Sequence, residues 1–364
     1  MPLNNGHAVL LSPNGEVYVC GSNEAGQLGT GSRCGEKQLL KIQCPEMNYI
    51  CTTNFITIGI ASDRTLWGCG THIHSVLKIP KTNDERTDLM SQLPEIRDLT
   101  HVSAGHTFII WSDTTNRIWF RGFIDGFPKA PFSMLSETVC VKQLTTGRDH
   151  ALILDTSGFV YSFGRNYNGQ LGNTTTGHNW TPTQIRSLSD IISISSGESH
   201  NVCLSSDGRA YSFGSNYFGE LGSQESINTP GIIVLVDLDF HIVAVDCGGN
   251  FSVFYDSDGN VWMSGFNCFG QLGFADKYNR RTPEISPGLK GMKIIPGTDH
   301  IIAIDPQGDV YVCGEYWCEN IEIYPNGTKS SYGLFRLKTD HNFAPPTFKI
   351  KSAMSHTDKI AVHK

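Results

Sequence analysis

Charge is scarce in this chain. Asp, Glu, Lys and Arg make up 17 % of its 364 residues, and acidic groups outnumber basic ones by 35 to 28, a formal net charge of −7. No overall basic field is available to draw in nucleic acid or an anionic membrane surface. Long apolar runs are missing too, and none approaches the roughly 20 residues that a membrane helix needs. The opening stretch MPLNNGHAVLLSPNGEVY has no basic residues ahead of its short apolar run, so no signal peptide is expected. The eleven cysteines include no Cys-x-x-Cys pair, which excludes a zinc ribbon or a dithiol redox motif. Several lie inside strand-like runs such as YVCG at 18–21 and 311–314, where a free thiol acts as a small hydrophobe. A reducing compartment is expected, and the sequons at Asn173, Asn179, Asn250 and Asn326 then read as chance.

Catalytic signatures are absent as well. There is no Gly-x-Ser-x-Gly, no His-Glu-x-x-His and no phosphate-binding Gly-Lys-Ser/Thr loop. The stretch DSDGN at 256–260 imitates the start of a calcium loop, but its twelfth position is Asn267 rather than Glu, and a hairpin turn is expected. No cofactor and no metal are expected.

What the chain does contain is glycine (38 residues), aromatic side chains (10 %) and a repeat. YSFGRNYNGQLG at 161–172 returns as YSFGSNYFGELG at 211–222. The fuller unit is Gly-x-x-His, an apolar strand, a tight turn and an aromatic strand ending in Gly, often followed by Asn-x-x-Gly-Gln-Leu-Gly. His150, His200 and His300 each precede the strand-ending Gly by fourteen residues, and so does His7. Ile56 and Phe251 hold that position in two other copies. His106 precedes Gly122 by sixteen, which implies a two-residue insertion at SDTTNR. Seven starts, at 7, 56, 106, 150, 200, 251 and 300, give a period of about 49 residues.

Each copy reads as four short strands, with turns such as Asn14-Gly15, Ser157-Gly158 and Asp207-Gly208 supplying the positive φ of a hairpin. One such sheet is too small to stand alone, and seven around an axis bury one another's faces. The fold class is therefore all-β, a seven-bladed β-propeller of four-stranded blades, with residues 1–364 as a single domain. The first copy lacks the strand before its His strand. The C-terminal segment 345–364 is expected to supply it and close the ring. The repeated Gly164, Asn166, Gly169, Leu171 and Gly172 are read as structural. The equivalent histidines are expected to hold backbone carbonyls, since ring-related positions do not converge as metal ligands.

The phrases CGSNEAGQLG, FGRNYNGQLG, FGSNYFGELG and SGFNCFGQLG, with Gly-x-x-His, make the chain resemble the regulator of chromosome condensation repeat family over essentially its whole length. The resemblance implies protein-binding roles, which in that family range from nucleotide exchange on small GTPases to ubiquitin-ligase modules and secreted bacterial effectors. In its exchange-factor members a protrusion from one blade wedges against the GTPase, and the next blade opens with a Gly-x-Asp-His loop whose acid matters for exchange. Here the irregular stretch RGFIDGFPK directly precedes Gly147-Arg148-Asp149-His150. The resemblance thus offers Asp149 as the exchange acid, with Phe123, Ile124, Asp125, Phe127, Lys129, Arg148 and His150 as GTPase contacts. Glu198 and Asp299 occupy similar loops of later blades and join them.

The function expected on this basis is guanine-nucleotide exchange on a small GTPase, Ran in the first instance, with a bacterial effector acting on a host GTPase as a variant. The alternative is a propeller scaffold that binds a protein partner without exchange. The expected partner is a small GTPase, with no nucleic acid, no membrane span and a monomeric state. The expected location is cytoplasmic or nucleocytoplasmic, or the host cytosol for an effector.

Overall fold

The computed structural model describes residues 6–71, 88–124, 133–136, 139–173, 177–224, 232–236, 238, 241–315, 321–322 and 334–337. These residues form seven antiparallel sheets arranged as the blades of a ring, and none of them is helical. Blade 1 holds β1 (His7–Leu11), β2 (Val17–Gly21) and β3 (Glu36–Lys41). Blade 2 holds β4 (Met47–Thr52), β5 (Ile56–Ala61), β6 (Leu66–Gly70) and β7 (Ser91–Leu93). Blade 3 holds β8 (Leu99–Ala104), β9 (Phe108–Asp113), β10 (Ile118–Gly122) and β11 (Ser133–Ser136). Blade 4 comprises β12 (Val141–Thr146), β13 (His150–Asp155), β14 (Val160–Gly164) and β15 (Asn179–Gln184). Blade 5 comprises β16 (Ile191–Ser196), β17 (His200–Ser205), β18 (Ala210–Gly214) and β19 (Val234–Leu235). Blade 6 comprises β20 (Ile242–Cys247), β21 (Phe251–Asp256), β22 (Val261–Gly265) and β23 (Arg280–Ile285). In blade 7, β24 (Lys293–Pro296), β25 (His300–Ile304) and β26 (Val310–Gly314) are followed by β27 (Ile321–Glu322) and β28 (Phe335–Leu337), with β28 next to β26.

The hairpin inside each blade is set by its turn chemistry. In blade 4, Asp155 accepts the backbone N–H groups of Ser157 and Phe159 on Oδ1 and the Tyr161 hydroxyl on Oδ2, while Gly158 supplies φ +85°. Asp113, Asp256 and Asp305 hold the turns of blades 3, 6 and 7 in the same way, each bonding an aromatic ring group six residues on (Trp119, Trp262 and Tyr311). Asp256 therefore belongs to a hairpin, and its carboxylate is occupied by Asp258, Asn260 and Trp262.

The register corrects one sequence expectation. Gly122 pairs with Phe108, as Gly164 pairs with His150, so the His position of blade 3 is Phe108 and no insertion is present. The misleading signal was a coincidence of residue type, since His106 sits two residues early in the loop.

Most of the core lies between blades. Phe108, Phe120 and Ile124 of blade 3 pack with Leu144, Ala151, Ile153 and Phe163 of blade 4. Leu10, Tyr18 and Cys20 of the first blade pack with Ile295, Ile302 and Val312 of the last, so side-chain burial closes the ring. Blade 1 has three described strands with its His strand at one edge. The segment 345–364, expected to complete it, lies outside the described residues. No helix among the described residues is long and apolar enough to cross a membrane.

Candidate functional site at the channel mouth

The Gly-x-x-His loops meet around the ring axis at one end. There they form a belt of backbone hydrogen bonds from blade to blade: His106 N to Arg148 O, Arg148 N to Glu198 O, Glu198 N to Gly249 O and Gly249 N to Gly297 O, at 2.7–3.1 Å. Glycine begins these loops because a ring folds back over it. A Cβ on Gly147 would lie 2.1 Å from His150 Cε1 and 2.5 Å from Gly197 O, and one on Gly197 would meet His200 in the same way. Blade 2 has Thr53 at this position, and its partner Ile56 carries no ring.

The belt rims a cavity of about 210 Å³ whose lining includes Arg148, Glu198, Thr298, Asp299, His300 and Glu315. Thr298 Oγ1 donates to Asn54 Oδ1 at 2.6 Å, tying blade 7 to blade 2 across blade 1. Burial first, and then the neighbouring Glu198 and Glu315 carboxylates, push the Asp299 carboxyl up to about 6. Burial alone holds His300 down to about 4, so a neutral imidazole stands beside these acids. Among the described residues no group of three or more His, Cys, Asp or Glu side chains is arranged to hold a metal.

The expected site residues divide into three sets. Arg148, Glu198 and Asp299 come together at the mouth. Asp149 lies just outside it and is ion-paired to Arg165 at 3.3 Å and to Arg148 at 3.9 Å. Phe123 is exposed at 47 % on the same face, held where its N–H meets Thr107 O. Ile124 and His150, in contrast, are fully buried and have no surface to offer a partner. Ile124 fills the interface between blades 3 and 4. Asp125, Phe127 and Lys129 lie outside the described residues.

His150 Nε2 donates to Asn201 Oδ1 of the next blade at 2.8 Å, rather than to a backbone carbonyl. His200 meets Ser252 Oγ at 3.0 Å, and His7 lies 3.4 Å from Thr57 Oγ1. Each polar partner directly follows the His position of its own blade, and each reaches on to a backbone carbonyl of the preceding blade. Asn201 Nδ2 donates to Gln170 O, Ser252 Oγ to Glu220 O and Thr57 Oγ1 to Gln27 O. These carbonyls belong to the Gly-Gln-Leu-Gly loops, so the motif forms the joint between blades. Where the His position is apolar the partner is apolar as well: Ile56 with Ile109, Phe108 with Ala151, and Phe251 with Ile301.

Within the loop itself Asn166 Oδ1 accepts Leu171 N and Gln170 Oε1 accepts Asn168 N, and blades 1, 5 and 6 repeat both bonds. Sequence reasoning missed Glu315. Its signal was available, because the residue after each strand-ending Gly shares this face: Arg165 N bonds Asp149 O just as Glu315 N bonds Asp299 O.

The family model described as the regulator of chromosome condensation (RCC1) repeat matches residues 14–46, 157–204 and 207–255, and a second model of that description matches 141–170, 191–220 and 242–271. The regulator of chromosome condensation of Drosophila melanogaster is 29 % identical over 175 residues, 43 % of this chain and 31 % of that protein. Protein pim1 of Schizosaccharomyces pombe is 25 % identical over 371 residues, covering 84 % of this chain and 67 % of its own length. The X-linked retinitis pigmentosa GTPase regulator homolog of Caenorhabditis elegans is 23 % identical over 334 residues, 85 % of this chain but 23 % of that protein. The chain thus spans under a third of two of these relatives. Among solved structures, yeast RCC1 (Prp20) bound to Kap60 superposes with a TM-score of 0.77 at 17 % identity, over 92 % of this chain and 86 % of that one. Human WBSCR16 gives 0.75 at 18 %, over 89 % and 95 %. The repeats, their register and these neighbours make the chain an RCC1-like seven-bladed propeller.

Proposed function

We propose that the protein regulates a small GTPase by binding it with the face that carries the channel mouth, and that it accelerates release of the bound nucleotide. The observation that carries this reading is the gathering of Glu198, Asp299 and Glu315 around one axial cavity, on the same face as exposed Phe123. A partly desolvated acidic rim suits a basic protein surface, steering its approach and fixing its register. Such a regulator needs no bond chemistry. It must hold the nucleotide-free GTPase more tightly than the loaded one, and a thousandfold acceleration corresponds to about 4 kcal/mol of that preference. A few buried contacts of about 2 kcal/mol each would suffice. Ran is the first candidate, because a similar solved structure is that of Prp20p from Saccharomyces cerevisiae, a protein with binding properties toward Gsp1p and histones. The corresponding location is cytoplasmic or nucleocytoplasmic.

A second reading, a scaffold that binds without exchange, draws on one observation. The candidate exchange acid Asp149 is engaged by Arg165 and Arg148. Release of a fluorescent GDP analogue from Ran and a panel of other small GTPases separates the two. Acceleration by substoichiometric protein supports exchange, and unchanged release across the panel together with measurable binding supports the scaffold.

A further inference from the structure

Five positions of Asn-x-x-Gly-Gln-Leu-Gly have structural duties, whereas the two x positions enter the loop's hydrogen bonding through a backbone N–H group, with one side-chain contact besides, the Tyr167 hydroxyl to His178 Nε2 at 3.1 Å. In blade 1 they are Glu24 and Ala25. In three consecutive blades they carry aromatic side chains: Tyr167 in blade 4, Tyr217 and Phe218 in blade 5, and Phe269 in blade 6. Tyr167 and Tyr217 are 64 % and 62 % exposed. Phe218, Phe266 and Phe269 continue the run, with ring centroids 4.8 and 5.8 Å apart, and Tyr167 stands edge-on to His178 at 5.0 Å. Phe266 N bonds Asn250 O and Arg165 N bonds Asp149 O, so this arc begins at the belt and runs outward on the face of the mouth.

We infer that the aromatic arc of blades 4 to 6 is the docking surface for a basic segment of the partner protein, its cations lying on the exposed tyrosine rings and at the acidic mouth. Charge decides the occupant. Glu198, Asp299 and Glu315 border the inner end of the arc. Two of the guanidiniums beside it are already engaged: Arg165 with Asp149, and Arg280 with Asp276 and Glu284. Arg165 also lies over the Tyr167 ring, 5.6 Å from its centroid, a cation–ring contact of the kind inferred for the partner. An acidic segment would meet the Glu198, Asp299 and Glu315 carboxylates, whereas Arg or Lys side chains with apolar neighbours satisfy both the rings and the acids.

This inference rests on the reading that this face meets a protein partner, and its test does not depend on nucleotide exchange. A fluorescein-labelled peptide of alternating Arg and Leu, and a Glu-Leu counterpart, are titrated with the whole protein and followed by anisotropy. The expected result is saturable one-to-one binding of the Arg-Leu peptide alone, weakened by salt. Tyr167→Ser with Tyr217→Ser should weaken it about tenfold at unchanged melting temperature. Tyr217→Ser alone, at a position with no side-chain hydrogen bond in the loop, should give part of that loss. Glu198→Gln should also weaken binding. Equal affinity for both peptides, no binding, or binding indifferent to the tyrosine changes overturns the inference. If the peptide fails while GDP release is accelerated, the arc alone is rejected. If the peptide binds while no GTPase responds, exchange alone is rejected.

Discussion

His150 and His200 are neutral inside the folded ring because an imidazolium there would lose its hydration, and burial holds them down to about 4 and about 3. The unfolded chain titrates near 6.5, so below that value it takes up protons that the native rings refuse. Stability is therefore complete above about pH 6.5 and declines as pH falls toward 4. The loss should be about 2 kcal/mol per ring by about pH 5. Urea midpoints measured between neutral pH and about pH 5 check this, and His150→Gln should flatten the slope. Asp299 works in the opposite sense. Its raised value means that the native state holds the proton more tightly, so this site costs stability above about pH 6 and the cost fades as pH falls toward the unfolded value near 4. Asp299→Asn should raise stability at neutral pH by on the order of 1 kcal/mol, an advantage absent below about pH 4. Under the proposed function, the same change weakens partner binding.

At the scale of the element, the unit of construction is the joint between blades rather than the blade. His150 with Asn201 and His200 with Ser252 are polar joints, while Phe108 with Ala151 and Phe251 with Ile301 are apolar ones. A mixed joint leaves a buried polar atom unsatisfied, at a cost of about 1–3 kcal/mol. Asn201→Leu should therefore lower stability by about that amount, and adding His150→Phe should recover part of it, measured as a double-mutant cycle in urea. Recovery will be incomplete because Asn201 also donates to Gln170 O and accepts from Ser196 Oγ.

The blades themselves were legible in the sequence because their period is written in residues with single structural duties: Gly164 at φ +113°, Asn166 capping the loop, Leu171 in the core. The joint was not. Its two halves lie about fifty residues apart, and only the register sets Asn201 against His150. The site was partly legible: Arg148, Glu198 and Asp299 occupy repeat-related loops, so one belt collects them. Ile124 and His150 misled, because a residue's presence in a suggestive loop does not say which way it faces.

For the whole molecule, closure and function share one frame. Blade 7 packs on blade 1 through Ile302, Val312, Leu10 and Tyr18, and the belt at the mouth stays in register only while the ring holds. If segment 345–364 completes blade 1, its deletion should lower the melting temperature and slow partner association together, whereas an unchanged melting temperature would reject that closure. Association with a basic partner should also slow as salt rises, since the attraction is electrostatic at long range.

The most direct test of the account is the affinity of the protein for one responsive GTPase, Ran first, in its nucleotide-free and GDP-loaded states, measured side by side. The account predicts that the nucleotide-free form binds about a thousandfold more tightly, a preference of about 4 kcal/mol, and that Asp299→Asn reduces the binding. Equal affinity for the two forms would contradict it, because a surface that does not distinguish them cannot drive the nucleotide out.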